Sequence, residues 1–461
     1  MKAFLGYLSA ATLLLGGCAT DGQSPASPSP TASVRSALAS VSSDVSEASL
    51  RGYIEKMVSF GTRHTLSDQV SDTRGIGAAR RWVESEFRKT SSDCGNCLEV
   101  ITVQDTVTAP PRVPNPTVVA NAVAIQRGTG DPNRVIIIQG HLDSRVTDVM
   151  NFAADAPGAN DDASGVAAVM EAARILSKRK FGATLVFAAL SGEEQGLHGG
   201  RILAAHAKAQ GWEVLAVLNN DIVGNSHGMA AHIDDRVRVF SEGVRSNESE
   251  AIAAARRSVG GEVDAPSRNL ARYVDAIAEA HLPSFDVSMV YRRDRFSRGG
   301  DQVPMVEAGF PAVRVTEAAE HYHRQHQDLR TENGIVYGDT IEGVDFPYLA
   351  RVTKLNAMTM ASLASAPRPP REVKIDGAVS ANTTVTWAAS EGAASYIVWW
   401  RETTSPVWQH SKLVSGATTT VLENTVIDDW FFGVQAVSAE GYASPVQFAG
   451  VVGAFFPPAA K

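Results

Sequence analysis

The chain has 461 residues, 44% hydrophobic and 20% charged, which supplies a large core and exceeds what one small domain needs. Its 42 basic and 50 acidic residues leave a net charge of −8 with no basic block, which argues against a nucleic-acid partner. Two folded units with tails are expected.

Residues 1–18 read as a targeting segment: Lys2 is the positive start, Ala10 to Leu15 the short apolar stretch, and Leu15-Gly16-Gly17-Cys18 the end. That ending resembles a bacterial lipobox, which implies lipidation at Cys18; an ordinary signal peptide is the alternative. Ala19, where an acid would retain the protein, implies by the same resemblance the outer membrane. The expected location is the bacterial cell envelope, lipid-anchored (outer membrane or periplasm), or secreted. No other stretch is long and apolar enough to span a bilayer.

Residues 19–36, rich in Pro and Ser, are expected to be an unfolded tether. Helices follow over 47–60, with Leu50, Ile54, Met57 and Val58 at helical spacing, and over 75–89, with Ile76, Trp82, Val83 and Phe87. Cys94-Gly95-Asn96-Cys97 admits a redox pair, half a zinc site or a small structural disulfide. The setting is not strand-then-helix, and the only other cysteine is Cys18, so a Cys94–Cys97 disulfide formed outside the cytoplasm is the reading.

Residues 118–126 and 134–140 read as paired strands around a Gly-rich turn. An amphipathic helix over 163–180 has Asp162 or Ser164 as its cap. Strand 183–190, helix 199–210 and strand 214–220 continue the alternation, which predicts a parallel sheet with right-handed crossovers. The pattern is less sharp from 230 to 365, apart from a strand at 310–315 and a closing helix at 346–363. The fold class is therefore α/β, with a mixed, largely parallel central sheet flanked by helices. A linker at 366–372 precedes short alternating strands at 384–387, 396–400, 418–422 and 430–437, a small all-β sandwich over 373–452 with a tail at 453–461. Trp387 and the run Tyr396-Ile397-Val398-Trp399-Trp400 resemble a fibronectin type III module, where such aromatics are core.

Chemistry gathers where apolar strands end. His141-Leu142-Asp143 places two polar side chains on one side of an extended strand. Asn160-Asp161-Asp162 sets two carboxylates together in a Gly-bounded loop, although a helix cap needs only one. Glu193-Glu194 ends the next apolar run and Asp221 the third. Unpaired buried carboxylates are costly, and a cation removes that cost. One glutamate as ligand beside one as general base accounts for the pair. Oxygen and imidazole donors without thiolate suit zinc.

The joint pattern over about residues 40–365 resembles the co-catalytic zinc exopeptidases: bacterial leucyl aminopeptidases, with glutamate carboxypeptidase II and glutaminyl cyclases as relatives. The resemblance implies two zinc ions per chain held by His141, Asp161 (bridging), Glu194, Asp221 and a late histidine, with Glu193 as base and Asp143 behind His141. For the late histidine, His326 is chosen over His323, because it lies nearest Asp328. Asp301 takes the place of an acid behind that histidine. Arg298 stands where some members place an oxyanion-stabilising tyrosine; Tyr291 and Tyr322 are alternatives.

The resemblance implies an exported zinc exopeptidase over residues 37–365, most simply an aminopeptidase acting on peptides. The alternatives are a single-zinc glutaminyl cyclase, and a carboxypeptidase whose cationic pocket would draw on Arg292, Arg293, Arg295 and Arg298. A degenerate receptor would lack ligands, and this set is intact.

Overall fold

A computed structural model describes residues 30–452. The targeting segment with Cys18 and the tail at 453–461 lie outside the described residues. Among the described residues, no helix is long and apolar enough to cross a membrane.

The central sheet is built from β1 (Glu99–Ala109), β2 (Val113–Gln126), β3 (Arg134–His141), β4 (Thr184–Leu190), β5 (Glu213–Asn220), β6 (Arg236–Ser241), β7 (Asp286–Val290) and β8 (Ala312–Glu317). Their order is β1-β2-β4-β3-β5-β8-β6-β7. The middle four, β4-β3-β5-β8, are mutually parallel. Antiparallel β1 and β2 extend one edge, and β6 with β7 the other.

Helices cover both faces. On one lie α1 (Ala32–Ser43), α2 (Glu47–Val58), α3 (Gly75–Asp93), α4 (Ala163–Leu176), α7 (Pro266–His281) and α9 (Phe346–Ser365). On the other lie α5 (His198–Ala209) and α8 (Gln302–Ala308), while α6 (Glu250–Arg257) is a short outer helix. Successive strand residues point to opposite faces, so Ile136 and Ile138 of β3 enter the first core, and Val135 and Ile137 the second. That is why the central strands are apolar throughout.

Three expectations need correction. Strands β2 and β3 are not paired: β4 lies between them, antiparallel to β2 and parallel to β3. β2 uses its other edge for the hairpin with β1, and the wholly buried β4 takes the middle of the sheet. The expected tether ends early. Helix α1 starts at Ala32, capped by Thr31, and buries Val34, Leu38 and Val41 at helical spacing. The linker at 366–372 is not loose: Arg368 pairs with Asp131 and Glu213, Arg371 pairs with Glu213, and Arg371 already opens a strand. Cys94 and Cys97 are joined by a disulfide.

A small hairpin, β9 (Arg330–Glu332) with β10 (Ile335–Tyr337), precedes α9. Beyond α9 come β11 (Arg371–Asp376), β12 (Thr383–Ala388), β13 (Ser395–Glu402), β14 (His410–Ser415), β15 (Thr419–Leu422), β16 (Trp430–Val437) and β17 (Gln447–Phe448). They form two antiparallel sheets, β11-β12-β15 and β14-β13-β16-β17, around Val385, Trp387, Tyr396, Val398, Phe432 and Val434. This sandwich is bolted to the α/β unit. Buried Asp264 pairs with Arg272 at 2.8 Å and with Arg401 of β13 at 2.6 Å, and Tyr273 donates to the Ala443 carbonyl.

Candidate metal centre

The four parallel strands deliver their polar residues at one end of the sheet. β3 ends in His141; β4 is followed by Glu193-Glu194, β5 by Asp221, and β8 by the loop carrying His326. Because β4 and β5 flank β3 on opposite sides, their following loops diverge and leave a crevice above β3.

Within that crevice Asp161 faces two ways. Its Oδ1 lies 3.1 Å from His141 Nε2, and its Oδ2 lies 3.0 Å from His326 Nε2. Asp221 Oδ1 is 3.8 Å from His141 Nε2, and Glu194 Oε1 is 2.9 Å from His326 Nε2. Two donor sets therefore share one carboxylate: His141, Asp161 and Asp221 on one side, Asp161, Glu194 and His326 on the other. All but His326 are buried, and its backbone sits in the left-handed region (φ 52°), uncommon for a side chain of its size.

The loops are held by the protein around them. Asp162 is the α4 cap, accepting from Gly165, Ile222 and His141 backbone N–H groups. Of the paired aspartates it is therefore the structural one. Asp339 accepts from the N–H groups of Asn160 and Asp161, fixing the loop that aims Asp161. Fully buried Arg63 donates to the carbonyls of Leu142, Pro157 and Gly158, tying the β3 exit to the same loop. His141 Nδ1 is 3.0 Å from the Asp143 carbonyl. The Asp143 carboxylate lies behind the same ring, with Oδ1 3.7 Å from His141 Nδ1, and it also accepts from Thr65 Oγ1 and from the N–H groups of Glu193 and Glu194, so it reaches both donor sets.

Electrostatics show a site short of positive charge. Burial pulls the His141 pKa down, but Asp162, Asp143, Asp161 and Asp221 outweigh it and hold the ring well above its usual value. Burial is likewise outweighed at His326 by Glu194 and Asp161, which push it up to about 10. Asp161 is driven well below the carboxylate range, because the two histidines overcome its burial. Burial, reinforced by Glu194 and Asp221, pushes Glu193 well above the ordinary glutamate value. Such a set meets the demand of a divalent cation, which would displace the histidine protons. Carboxylate oxygens and imidazole nitrogens without sulfur fit zinc.

Arg314 is the residue that sequence reasoning missed. It projects from β8, wholly buried, to Asp221 Oδ1 at 2.7 Å and Asp294 Oδ2 at 2.9 Å. Burial would raise the Asp221 pKa, but Arg314 and then His141 lower it to about 2. A charged residue inside the apolar run Ala312-Val313-Arg314-Val315 was the available signal, since buried arginines need acid partners. Asp339 carried no comparable signal.

Asp301 is not behind His326. It precedes α8 and accepts from the Gly200 N–H of α5 at 3.2 Å, and among the described residues no hydrogen bond or ion pair joins it to His326. The family resemblance did not give its direction: the start of α8 points it toward α5. His323 packs against His321 and Tyr337, away from the donors, whereas His326 joins them. Arg298 and Tyr322 line the cavity of about 560 Å³ above the centre, together with Glu193, Glu194 and His326. Tyr291 is elsewhere, donating to the Pro406 carbonyl of the sandwich.

A sheet with candidate ligands at its parallel strand ends, and two donor sets joined by one aspartate, is the arrangement of the co-catalytic zinc exopeptidase fold. The sequence profile of peptidase family M28 matches residues 121–340. A probable zinc metalloprotease of Leptosphaeria maculans is 46% identical over 411 residues, covering 88% of this chain and 95% of that one. Another, from Pyrenophora teres f. teres, is 45% identical over 88% of this chain and 85% of its own. The chain belongs to peptidase family M28 and is a zinc metalloprotease. Among solved structures, the LapA aminopeptidase of Legionella pneumophila superposes with a TM-score of 0.51 at 18% identity, covering 72% of this chain and 75% of its own. LapB of the same organism gives 0.51 at 16% identity, over 71% and 75%.

Proposed function

We propose that the protein is an exported aminopeptidase with two zinc ions: one held by His141, Asp161 and Asp221, the other by Asp161, Glu194 and His326. The observation that carries this reading is the aspartate whose two oxygens face different histidines at 3.1 and 3.0 Å. When bound, zinc supplies Lewis acidity that polarises the scissile carbonyl and acidifies water.

The chain's own residues do the rest. Glu193 lines the cavity beside the donors, and its raised pKa suits a group that takes a proton from water and returns it to the leaving amine. Asp143 holds the Glu193 backbone and so sets the reach of that carboxylate. Arg314 keeps Asp221 ionised and directed, and Asp162 and Asp339 fix the loop carrying Asp161. The fold shared with the LapA aminopeptidase supports cleavage at an amino end. The targeting segment supports export, and the C-terminal strands support a fibronectin type III-like module.

Hydrolysis of leucine p-nitroanilide by zinc-loaded protein tests the proposal. Turnover that is abolished by acetylating the substrate's amino group supports it. Equal turnover of the blocked substrate rejects the aminopeptidase mode.

A further inference from the structure

We propose that the cavity over the metal centre selects substrates bearing a second, non-reacting carboxylate, read by Arg145 and Arg298 with Arg112 at the rim. This rests on the two-zinc peptidase reading and names its substrate class. The three arginines come from remote places: Arg112 from the β1–β2 turn, Arg145 from the loop after β3, and Arg298 from the loop before α8. All three line the same cavity. Apart from Glu193 and Glu194, which belong to the centre, the lining contains no other carboxylate.

Arg145 is the most telling. Its side chain is only 15% exposed, and its ionic partner is Glu194 Oε2 at 3.8 Å. Among the described residues its guanidinium donates no hydrogen bond, and its Nε is buried without a partner. A nearly buried guanidinium with unused donors is costly unless a ligand completes it. Arg298 also has capacity to spare. Its Nη1 reaches Gln325 Oε1 at 3.3 Å, and Glu320, 3.8 Å away, is already held by Arg238 at 2.5 Å and Arg295 at 3.1 Å. Arg112 gives one donor to the Glu194 carbonyl and is otherwise exposed.

The neighbouring arginines show the contrast. Arg293 is paired with Glu242, and Arg295 with Asp294 and Glu320, so they serve the scaffold. A pocket for an apolar side chain would need apolar walls, and here Leu197 and the Tyr322 ring are the large apolar surfaces in the lining. Planar guanidinium forks match carboxylates in geometry and charge. The carboxylate can be an acidic side chain at the new amino end or the C-terminus of a very short peptide.

Two substrate pairs separate these sources in zinc-loaded full-length protein. Glutamate against glutamine p-nitroanilide reads a side-chain carboxylate; alanyl-alanine against its C-terminal amide reads a terminal one. At least one pair should favour the carboxylate by about tenfold or more in kcat/KM. That ratio should fall toward one in the double variant Arg145→Ala, Arg298→Ala, and return in part with lysine at both positions. Because the readout is a ratio, a general loss of turnover does not imitate it, and zinc content and circular dichroism verify that each variant folds. Ratios near one for both pairs in active wild-type protein overturn the inference and leave the peptidase reading intact. A ratio kept by the double alanine variant also overturns it. If no substrate is hydrolysed, the peptidase reading falls, and calorimetric titration with glutarate decides the arginine claim. Binding to wild type that is lost in the double variant sustains the claim, and equal or absent binding ends it.

Discussion

Replacing Arg314 by methionine separates a ligand from a merely buried acid. The side chain is wholly buried, and its guanidinium serves Asp221 at 2.7 Å, Asp294 at 2.9 Å and the Gly299 carbonyl at 3.1 Å. Methionine keeps much of the length and none of the charge. Without zinc, Asp221 is left with His141 at 3.8 Å as its nearest cation, whereas Asp294 retains Arg295 and Gln302. Stranding one buried carboxylate in this way costs about 3–5 kcal/mol. With zinc bound, the ion meets the Asp221 charge, and the residual loss is of hydrogen bonds worth about 1–2 kcal/mol. The variant should therefore be stabilised by saturating zinc about 2 kcal/mol more than wild type is. Urea unfolding of both proteins, in chelator and in excess zinc, measures that difference. An equal loss in the two conditions would show that Arg314 supports the fold alone and that Asp221 is not a ligand.

Other predictions use the same chemistry. Glu193→Gln should lower kcat at least about a hundredfold, with zinc content unchanged, as measured by steady-state hydrolysis beside elemental analysis; near-normal turnover removes Glu193 as the base. In metal-free protein His326 is raised to about 10, with Glu194 and Asp161 outweighing its burial. A raised histidine stabilises the fold fully below about pH 6.5 and loses that contribution as pH climbs toward its folded value. Zinc requires the neutral ring, so the rise in Tm on adding zinc should be larger near pH 8.5 than near pH 6, and calorimetry should detect proton release on binding. An increment that shrinks with pH contradicts the assignment. Asp264→Leu leaves Arg272 and Arg401 buried without their acid, at a cost of about 3–5 kcal/mol, and should speed limited proteolysis at the joint between the units; an unchanged digestion pattern would show that the joint does not depend on this triad.

Sequence revealed most where side chains answer to their own strand. β3, β4 and β5 are buried on both faces, so each appears as a largely apolar run, and His141, Glu193-Glu194 and Asp221 at their ends stand out; β8 carries Arg314, Thr316 and Glu317, and His326 lies in the loop beyond it among other histidines. It revealed least where partners are remote. Helix α7 carries an apolar stripe of Leu270, Tyr273, Val274 and Ile277, but it also buries Arg268, Asn269, Arg272 and Asp275, whose contacts include the sandwich and neighbouring loops, and nothing in the sequence marks those polar residues as buried. Strand β1 is mostly exposed, and its pairing with β2 is what makes it a strand. Asp301 was placed by resemblance to the family pattern, whereas the turn into α8 sets its direction. Arg112 and Arg145 look like solvated charges until the β1–β2 turn and the loop after β3 meet over one cavity.

The most direct test of the central claim is the zinc count of purified protein after equilibrium dialysis, for wild type and for Asp161→Asn. Two donor sets sharing Asp161 predict about two zinc ions per wild-type chain, and a loss affecting both sites in the variant. One ion per wild-type chain, retained when Asp161 is changed, would contradict the shared-aspartate centre.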